Sequence, residues 1–289
     1  MNYSNLLEVG KPIRYIDNEI NAFHKAGEDL YRFCLIFPDV YEIGMSHLGM
    51  KILYERLNAI DHVYAERFYM PWGDAIEKFG QEIFYSLETQ TPLIKFDMIG
   101  FSLQYELSYT NVLQIIDKSG INLFSKERID GEPIVVAGGP CALNPYPLLD
   151  FIDVFFMGEM EVSLEGVVSE MLHMKNVSRR EKLQFLDSFE FTFVPELNDK
   201  KRVKRRIYED FYKDVTLKRP VVPLMPVVQD RVTIEISRGC TRGCRFCQAG
   251  MIYRPSRERN IEDLVENALE QIKNTGYLEV SLLSLSAAD

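Results

Sequence analysis

Histidine and cysteine are scarce in this chain, four and five residues among 289, and that scarcity narrows its chemistry. A structural zinc centre needs four Cys or His ligands. His24, His47, His62 and His173 are scattered through the first 173 residues, so they assemble no local site. Five cysteines leave one over, and the opening Met-Asn-Tyr-Ser has neither the basic nor the apolar segment of an export signal, so disulfides are not expected. Long apolar runs are missing as well: nothing approaches the about 18 uninterrupted residues of a membrane span. Positive charge is outweighed, 33 Lys and Arg against 43 Asp and Glu for a net charge of −10, which argues against general affinity for nucleic acid. A hydrophobic fraction of 46% is nevertheless enough for a sizeable core.

Three of the five cysteines stand together. Cys240, Cys244 and Cys247 lie in Arg-Gly-Cys-Thr-Arg-Gly-Cys-Arg-Phe-Cys, a C-x3-C-x2-C spacing. Three thiolates on one glycine-flanked loop can hold three irons of a 4Fe–4S cube and leave the fourth iron without a protein ligand. An open iron can bind a substrate or cofactor, whereas a fully ligated cluster mainly passes electrons. A zinc site or redox-active thiols are the alternatives for the loop. Cys34 and Cys141 are isolated in apolar or glycine-rich surroundings, which predicts burial.

The flanks of the loop carry periodic patterns. Residues 231–237 alternate β-branched and polar side chains, as a strand running into the loop would. Asn260 is a good helix N-cap, with Asp263 at the third helical position. Ile261, Leu264, Val265, Ala268 and Ile272 then recur on one helical face, and Gly276 supplies a stop. Leu278–Leu285 reads as a second strand. Strand, loop, helix and strand make one unit of a parallel barrel, and such barrels place their chemistry on loops after strands. Residues 231–260 also carry seven arginines, at 231, 238, 242, 245, 254, 257 and 259, against Glu235 and Glu258. That collar suits an anionic group, or it pairs with acidic neighbours.

The first 170 residues alternate differently. Strands are expected at 33–37, 97–103, 133–137 and 151–157, with helices near 46–59, 110–118 and 162–173, which predicts an open, mostly parallel sheet covered on both faces. Ligands bind such sheets beyond the carboxyl ends of the strands at the switch point, where Gly138 and Gly139 are expected to let a bound group approach the backbone. The expected fold is therefore α/β: a doubly wound, flavodoxin- or Rossmann-like domain over 1–173, a linker over 174–230, and the start of a barrel over 231–289. Within the linker, a short helix is expected near 181–187, the basic run 200–206 reads as a solvated face, and 219–226 is punctuated by prolines.

Several motifs in order now make a resemblance specific. Ile-Gly-Phe-Ser-Leu at 99–103, Val-Val-Ala-Gly-Gly-Pro at 135–140, Asp153-x4-Gly158-Glu159-x-Glu161 and the cysteine loop with its Gln-Ala-Gly-Met-Ile-Tyr-Arg-Pro continuation resemble an uncharacterised family of radical S-adenosylmethionine (SAM) proteins with an upstream cobalamin-binding domain. The resemblance covers most of 30–289. It implies that Cys240, Cys244 and Cys247 hold a 4Fe–4S cluster whose open iron chelates SAM, and that reductive cleavage of SAM yields a 5′-deoxyadenosyl radical. It further implies Phe246 near the adenine and cobalamin near Ser102, Gly138 and Gly139, with methyl transfer or another radical modification as the outcome. Cobalamin domains with a histidine on cobalt use Asp-x-His-x-x-Gly; here Asp39 and Ser46-His47-Leu48-Gly49 have other separations, so no cobalt–histidine bond is expected.

The implied setting is the cytoplasm, with an external flavodoxin- or ferredoxin-type electron donor. The barrel stops after its second strand, so the chain is expected to be a fragment of a longer enzyme, inactive alone. A cobalamin- or SAM-sensing module with a structural cluster is one alternative. A tRNA methylthiotransferase-like enzyme is another, although it would want three more cysteines upstream.

Overall fold

The computed structural model describes residues 3–27, 29–198, 202–213 and 217–286. Lys200 and Lys201 of the basic run lie outside these. The elements, in chain order, begin with a short α1 (Tyr3–Leu6), β1 (Tyr31–Phe37), a turn-length α2 (Tyr41–Gly44) and α3 (Leu48–Asn58). Next come β2 (Val63–Tyr69), α4 (Gly73–Phe79), β3 (Met98–Ser102), α5 (Tyr109–Lys118), β4 (Ile134–Gly138) and β5 (Val154–Phe156). α6 (Ser163–His173), α7 (Arg179–Asp187) and β6 (Thr192–Phe193) complete the first part.

Six of these strands form one sheet in the order β2-β1-β3-β4-β5-β6, parallel except for β6. The first five follow the flavodoxin-like order 2-1-3-4-5. Alternation along β1 shows why its sequence reads as an unbroken apolar run. Cys34 and Ile36 join the core on one face of the sheet, while Phe33, Leu35 and Phe37 join the core on the other. Both faces are covered, so both register positions favour apolar side chains.

The expected strands and helices of this part are present, with two added strands, β2 and β6, and the added helices α1, α2 and α4. β2 was not legible, because Glu66 and Arg67 interrupt its apolar pattern. Both are nonetheless buried, at 0% and 2% exposure. Arg67 is held by Glu19 and, at 2.7 Å, by Glu88, and Glu66 accepts from Arg32, Ser86 and Thr89. Buried charges persist where they are paired. β6 is only two residues long, and it extends the sheet from within the segment read as a linker.

The second part contains β7 (Val232–Glu235), β8 (Ser237–Arg238), α8 (Ala249–Ile252), β9 (Arg257–Glu258), α9 (Ile261–Thr275) and β10 (Val280–Leu283). β7 and β10 pair in parallel, and β8 pairs antiparallel with β9. The expected strand–loop–helix–strand unit is thus formed, with α9 capped by Asn260 accepting from the Asp263 N–H and ended by Gly276 at φ 75°. The buried side of α9 differs from the apolar pattern. Of the expected apolar face Leu264, Ala268 and Ile272 are half-buried, whereas Ile261 and Val265, with Leu269, are exposed; Asn267 and Gln271 are buried and bond to Leu217 and to each other. Polar partners on residues 217–220 thus help to hold this helix to the first part; Asn21 likewise donates to the carbonyls of Pro220 and Asn274. Among the described residues no helix is long and apolar enough to cross a membrane.

Candidate functional site

β3 and β4 end side by side, with Ser102 paired to Gly138. Beyond them the chain closes tightly: Leu103 N–H donates to the Gly138 carbonyl at 2.8 Å and Cys141 N–H to the Leu103 carbonyl at 3.1 Å. The two glycines serve different ends. Gly139 has φ 96°, and a Cβ there would stand 2.6 Å from the Leu103 carbonyl oxygen, so its freedom is spent on the turn. At Gly138 a Cβ would meet only the Phe156 carbonyl, at 4.0 Å. Gly138 alone leaves room for an approaching group.

That room belongs to a cavity of about 520 Å³. Its floor is the sheet face of Phe33, Leu35, Gly100, Val136 and Phe156, and α3 and α6 wall it with Leu48, Ile52 and Leu164. Ser102, Gln104, Gly138 and Gly139 lie at its rim. The strand order reverses between β1 and β3, so the switch point is one strand away from the two glycines, a correction to their expected placement. There Tyr105 donates to Asp39, bridging the ends of the two strands. The cavity is lined by residues of β1, β3, β4 and β5.

His47 also lines the cavity and was expected only as an ordinary helix histidine. It is the N-cap of α3: its Nδ1 accepts the Met50 N–H at 3.2 Å. Burial pushes its pKa from the usual 6.5 down to about 4, against a hydrogen bond with Gln104 and helped by the charge of Lys51. The ring is neutral at pH 7, and Nδ1 is already engaged.

On the far side the cavity is bounded by Glu159 and Glu161, just beyond β5, and by Glu235, Ser237, Arg238, Gly239 and Tyr253, the entry and exit of the cysteine loop. β8 and β9 clamp the base of this loop. Gly239, at φ 90°, is pressed between the strands' continuations: a Cβ would lie 2.6 Å from the carbonyl oxygens of both Tyr253 and Pro255. No other residue type fits there.

Cys240 and Cys247 are half-buried and Cys244 is exposed. Cys240 Sγ accepts the Arg242 N–H and Cys247 Sγ the Gly250 N–H, each at 3.4 Å. Backbone N–H groups aimed at sulfur suit thiolates that ligate an iron–sulfur cluster. By donor chemistry the loop fits such a cluster, although no three Cys, His, Asp or Glu side chains among the described residues converge as a metal-holding group. None of the three thiols lines the cavity, and Phe246, expected beside an adenine, is 93% exposed. Cys34 and Cys141 are buried, as expected.

The arginine collar is largely neutralised. Arg238 pairs with Glu161 at 2.5 Å, Glu235 at 2.7 Å and Glu159 at 3.5 Å. Arg257 grips both oxygens of Glu159, at 2.5 and 2.8 Å, and Arg259 lies 3.6 Å from Glu235. The guanidinium groups of Arg238, Arg257 and Arg259 stand 4.8, 5.4 and 4.0 Å from the ring centre of Phe211, which is fully buried. Burial raises the Glu159 pKa, but Arg257, Arg238 and the Tyr208 N–H outweigh it and hold the carboxyl below the usual range. The roles of Glu159, Glu161 and Phe211 were missed in the sequence. The available signal was charge: two glutamates after a strand and a run of arginines around the cysteines.

The comparisons agree with this architecture. Residues 49–195, just over half of the chain, match the family described as radical SAM proteins, N-terminal. The chain belongs to that family. An uncharacterized protein of Methanocaldococcus jannaschii, MJ0966, is 29% identical over 269 residues, covering 88% of this chain and 49% of that protein. Among solved structures, the radical SAM methyltransferase TsrM from Kitasatospora setae, with cobalamin and a 4Fe–4S cluster bound, matches with a TM-score of 0.58 at 12% identity. The match covers 89% of this chain and 49% of TsrM, and it is a likeness of fold. The chain spans about half the length of either protein.

Proposed function

We propose that this chain is the cofactor-binding half of a cobalamin-dependent radical SAM enzyme, with methyl transfer as the reaction class. The observation that carries this reading is the cavity itself. It joins the carboxyl ends of β3 and β4 to the entry of the three-cysteine loop, so one space is bordered by residues of both candidate cofactor sites.

Cys240, Cys244 and Cys247 would hold the cluster, and the cavity rim at Ser102, Gln104 and Gly138 would receive part of the corrinoid. When bound, the cluster supplies electrons for SAM cleavage, and cobalamin supplies a methyl carrier. The residues bind and orient. Gly138 leaves the rim bare, the apolar floor from Phe33 to Phe156 excludes water, and Ser102 and Gln104, bonded at 2.9 Å, offer polar groups at the edge. His47 offers no nitrogen lone pair to a metal, because Nδ1 accepts the Met50 N–H and the proton of the neutral ring is then on Nε2. An apolar space with a few polar groups at one side is the usual form of a cofactor site, and its volume fits part of a corrinoid with the remainder outside. Phe246, outside the cavity, stays assigned to SAM by motif alone. A flavodoxin- or ferredoxin-type donor and a cytoplasmic setting belong to the same reading.

Anaerobic reconstitution with iron and sulfide, followed by incubation with hydroxocobalamin and gel filtration, tests it. Retention of both iron and corrinoid is expected. Retention of iron without corrinoid would leave a radical SAM protein and remove the cobalamin assignment.

A further inference from the structure

We infer that Glu159 is a positioning residue for the cysteine loop, fastening the loop's base to the α/β sheet. The inference rests on the reading of the loop as a cofactor site, but its geometry stands independently. The base of the loop from Gly239 to Ser256 is closed by β8 and β9, a ladder of two residue pairs, Ser237 with Glu258 and Arg238 with Arg257, continued by one backbone bond from the Arg259 N–H to the Ile236 carbonyl. So short a ribbon is marginal by itself.

Glu159 takes an arginine from each strand of that ribbon. Arg257 on β9 donates to both of its oxygens, and Arg238 on β8 lies 3.5 Å away. Arg238 immediately precedes Gly239 and Cys240. The glutamate is itself immobilised: its N–H donates to the Arg206 carbonyl at 3.0 Å, and Oε2 accepts the Tyr208 N–H at 2.8 Å. Before it, Gly158 at φ 112° presses against the Arg206 backbone, 2.2 Å from where a Cβ would stand. Phe211 then packs beneath the three guanidinium groups. A bidentate pair fixes direction as well as distance, so the register of the loop over the cavity follows from Glu159.

The two glutamates are not equivalent. Without Glu161, Arg238 keeps Glu235 and Glu159. Without Glu159, Arg257 keeps no carboxylate partner among the described residues.

The test is limited trypsin digestion of the whole chain, followed by mass spectrometry at Arg242 and Arg245, both in the exposed part of the loop. Glu159→Gln should speed cleavage at these sites roughly tenfold over wild type, since cutting follows the population of the opened loop. Glu161→Gln should change it far less. Arg257→Gln attacks the same pair from the other side and should reproduce Glu159→Gln, which keeps the test decisive if Glu159→Gln does not fold. After reconstitution, the Glu159→Gln cluster should show an altered electron paramagnetic resonance response to SAM, a change that loss of general stability alone would not produce. Wild-type cleavage rates in both Glu159→Gln and Arg257→Gln would overturn the inference. If the wild type itself takes up no iron, the radical SAM reading fails while the cleavage result still decides the role of Glu159.

Discussion

Glu159, just beyond β5, and Arg257, on the far side of the cysteine loop, are 98 residues apart in sequence and joined by two hydrogen bonds of 2.5 and 2.8 Å. Through this pair the sheet that builds one wall of the cavity also sets the position of the opposite wall. The acidic motif after β5 and the arginines around the cysteines are therefore one feature. Arg238, Arg257 and Arg259 are thereby committed to glutamates rather than to an outside anion.

Replacing Cys240, Cys244 or Cys247 with Ala, one at a time, should abolish the binding of about four irons per chain expected on anaerobic reconstitution. Cys34→Ala and Cys141→Ala should leave iron content unchanged, because both thiols are buried and stand outside the C-x3-C-x2-C run. Iron and sulfide analysis reads the difference. Full iron content in a Cys244→Ala protein would contradict the ligand assignment.

Gly138 and Gly139 should separate binding from stability. Gly138→Leu places a side chain in the open rim and should lower corrinoid uptake with a small change in melting temperature. Gly139→Ala forces a Cβ onto the Leu103 carbonyl at positive φ and should cost roughly 1–3 kcal/mol in denaturant unfolding. Equal loss of stability in both would remove the distinction.

His47 links helix capping to pH. Its folded pKa of about 4 lies below the usual 6.5, so the unfolded chain takes up the proton first as pH falls. Its contribution to stability is complete above about pH 6.5 and is lost as pH drops toward 4. Protonation of Nδ1 would also remove the acceptor for the Met50 N–H. His47→Gln should flatten this part of the stability–pH curve, and His47→Ala should cost about 1 kcal/mol at pH 7 through the lost cap. The visible spectrum of bound corrinoid should not respond to either change.

Ile261, Val265 and Leu269 make one exposed apolar stripe on α9, and Val280, Leu282 and Leu283 on β10 are exposed as well. Contiguous apolar surface and open strand edges promote association. The chain should self-associate as its concentration rises, and Val265→Glu with Leu269→Glu should shift it toward monomer in sedimentation velocity. Hydrogen exchange should be faster across 231–285 than across β1, β3 and β4. A monomeric wild type with uniform protection would show that this face needs no cover.

The sequence alone determined the parts whose cause is local. The C-x3-C-x2-C spacing, the Asn260 cap and Gly276 stop of α9, and the apolar runs of β1, β3, β4 and β5 each reflect chemistry within a few neighbouring residues. The alternation of strands and helices carried the doubly wound sheet. Only the tertiary structure decided what depends on distant partners. β2 stayed hidden because Glu66 and Arg67 look like solvent-facing charges until Glu19, Glu88, Ser86 and Arg32 are brought around them. Gly138 and Gly139 read as one pair, yet the crossing of Leu103 over the second assigns them different tasks. The apolar residues of α9 suggested a wholly apolar buried face, but Leu264, Ala268 and Ile272 share that side with the buried Asn267 and Gln271, and Asn267 donates to the Leu217 carbonyl. Glu159 could be read as part of a motif, but its work could not, because a charge acquires a direction only when its partner has a place.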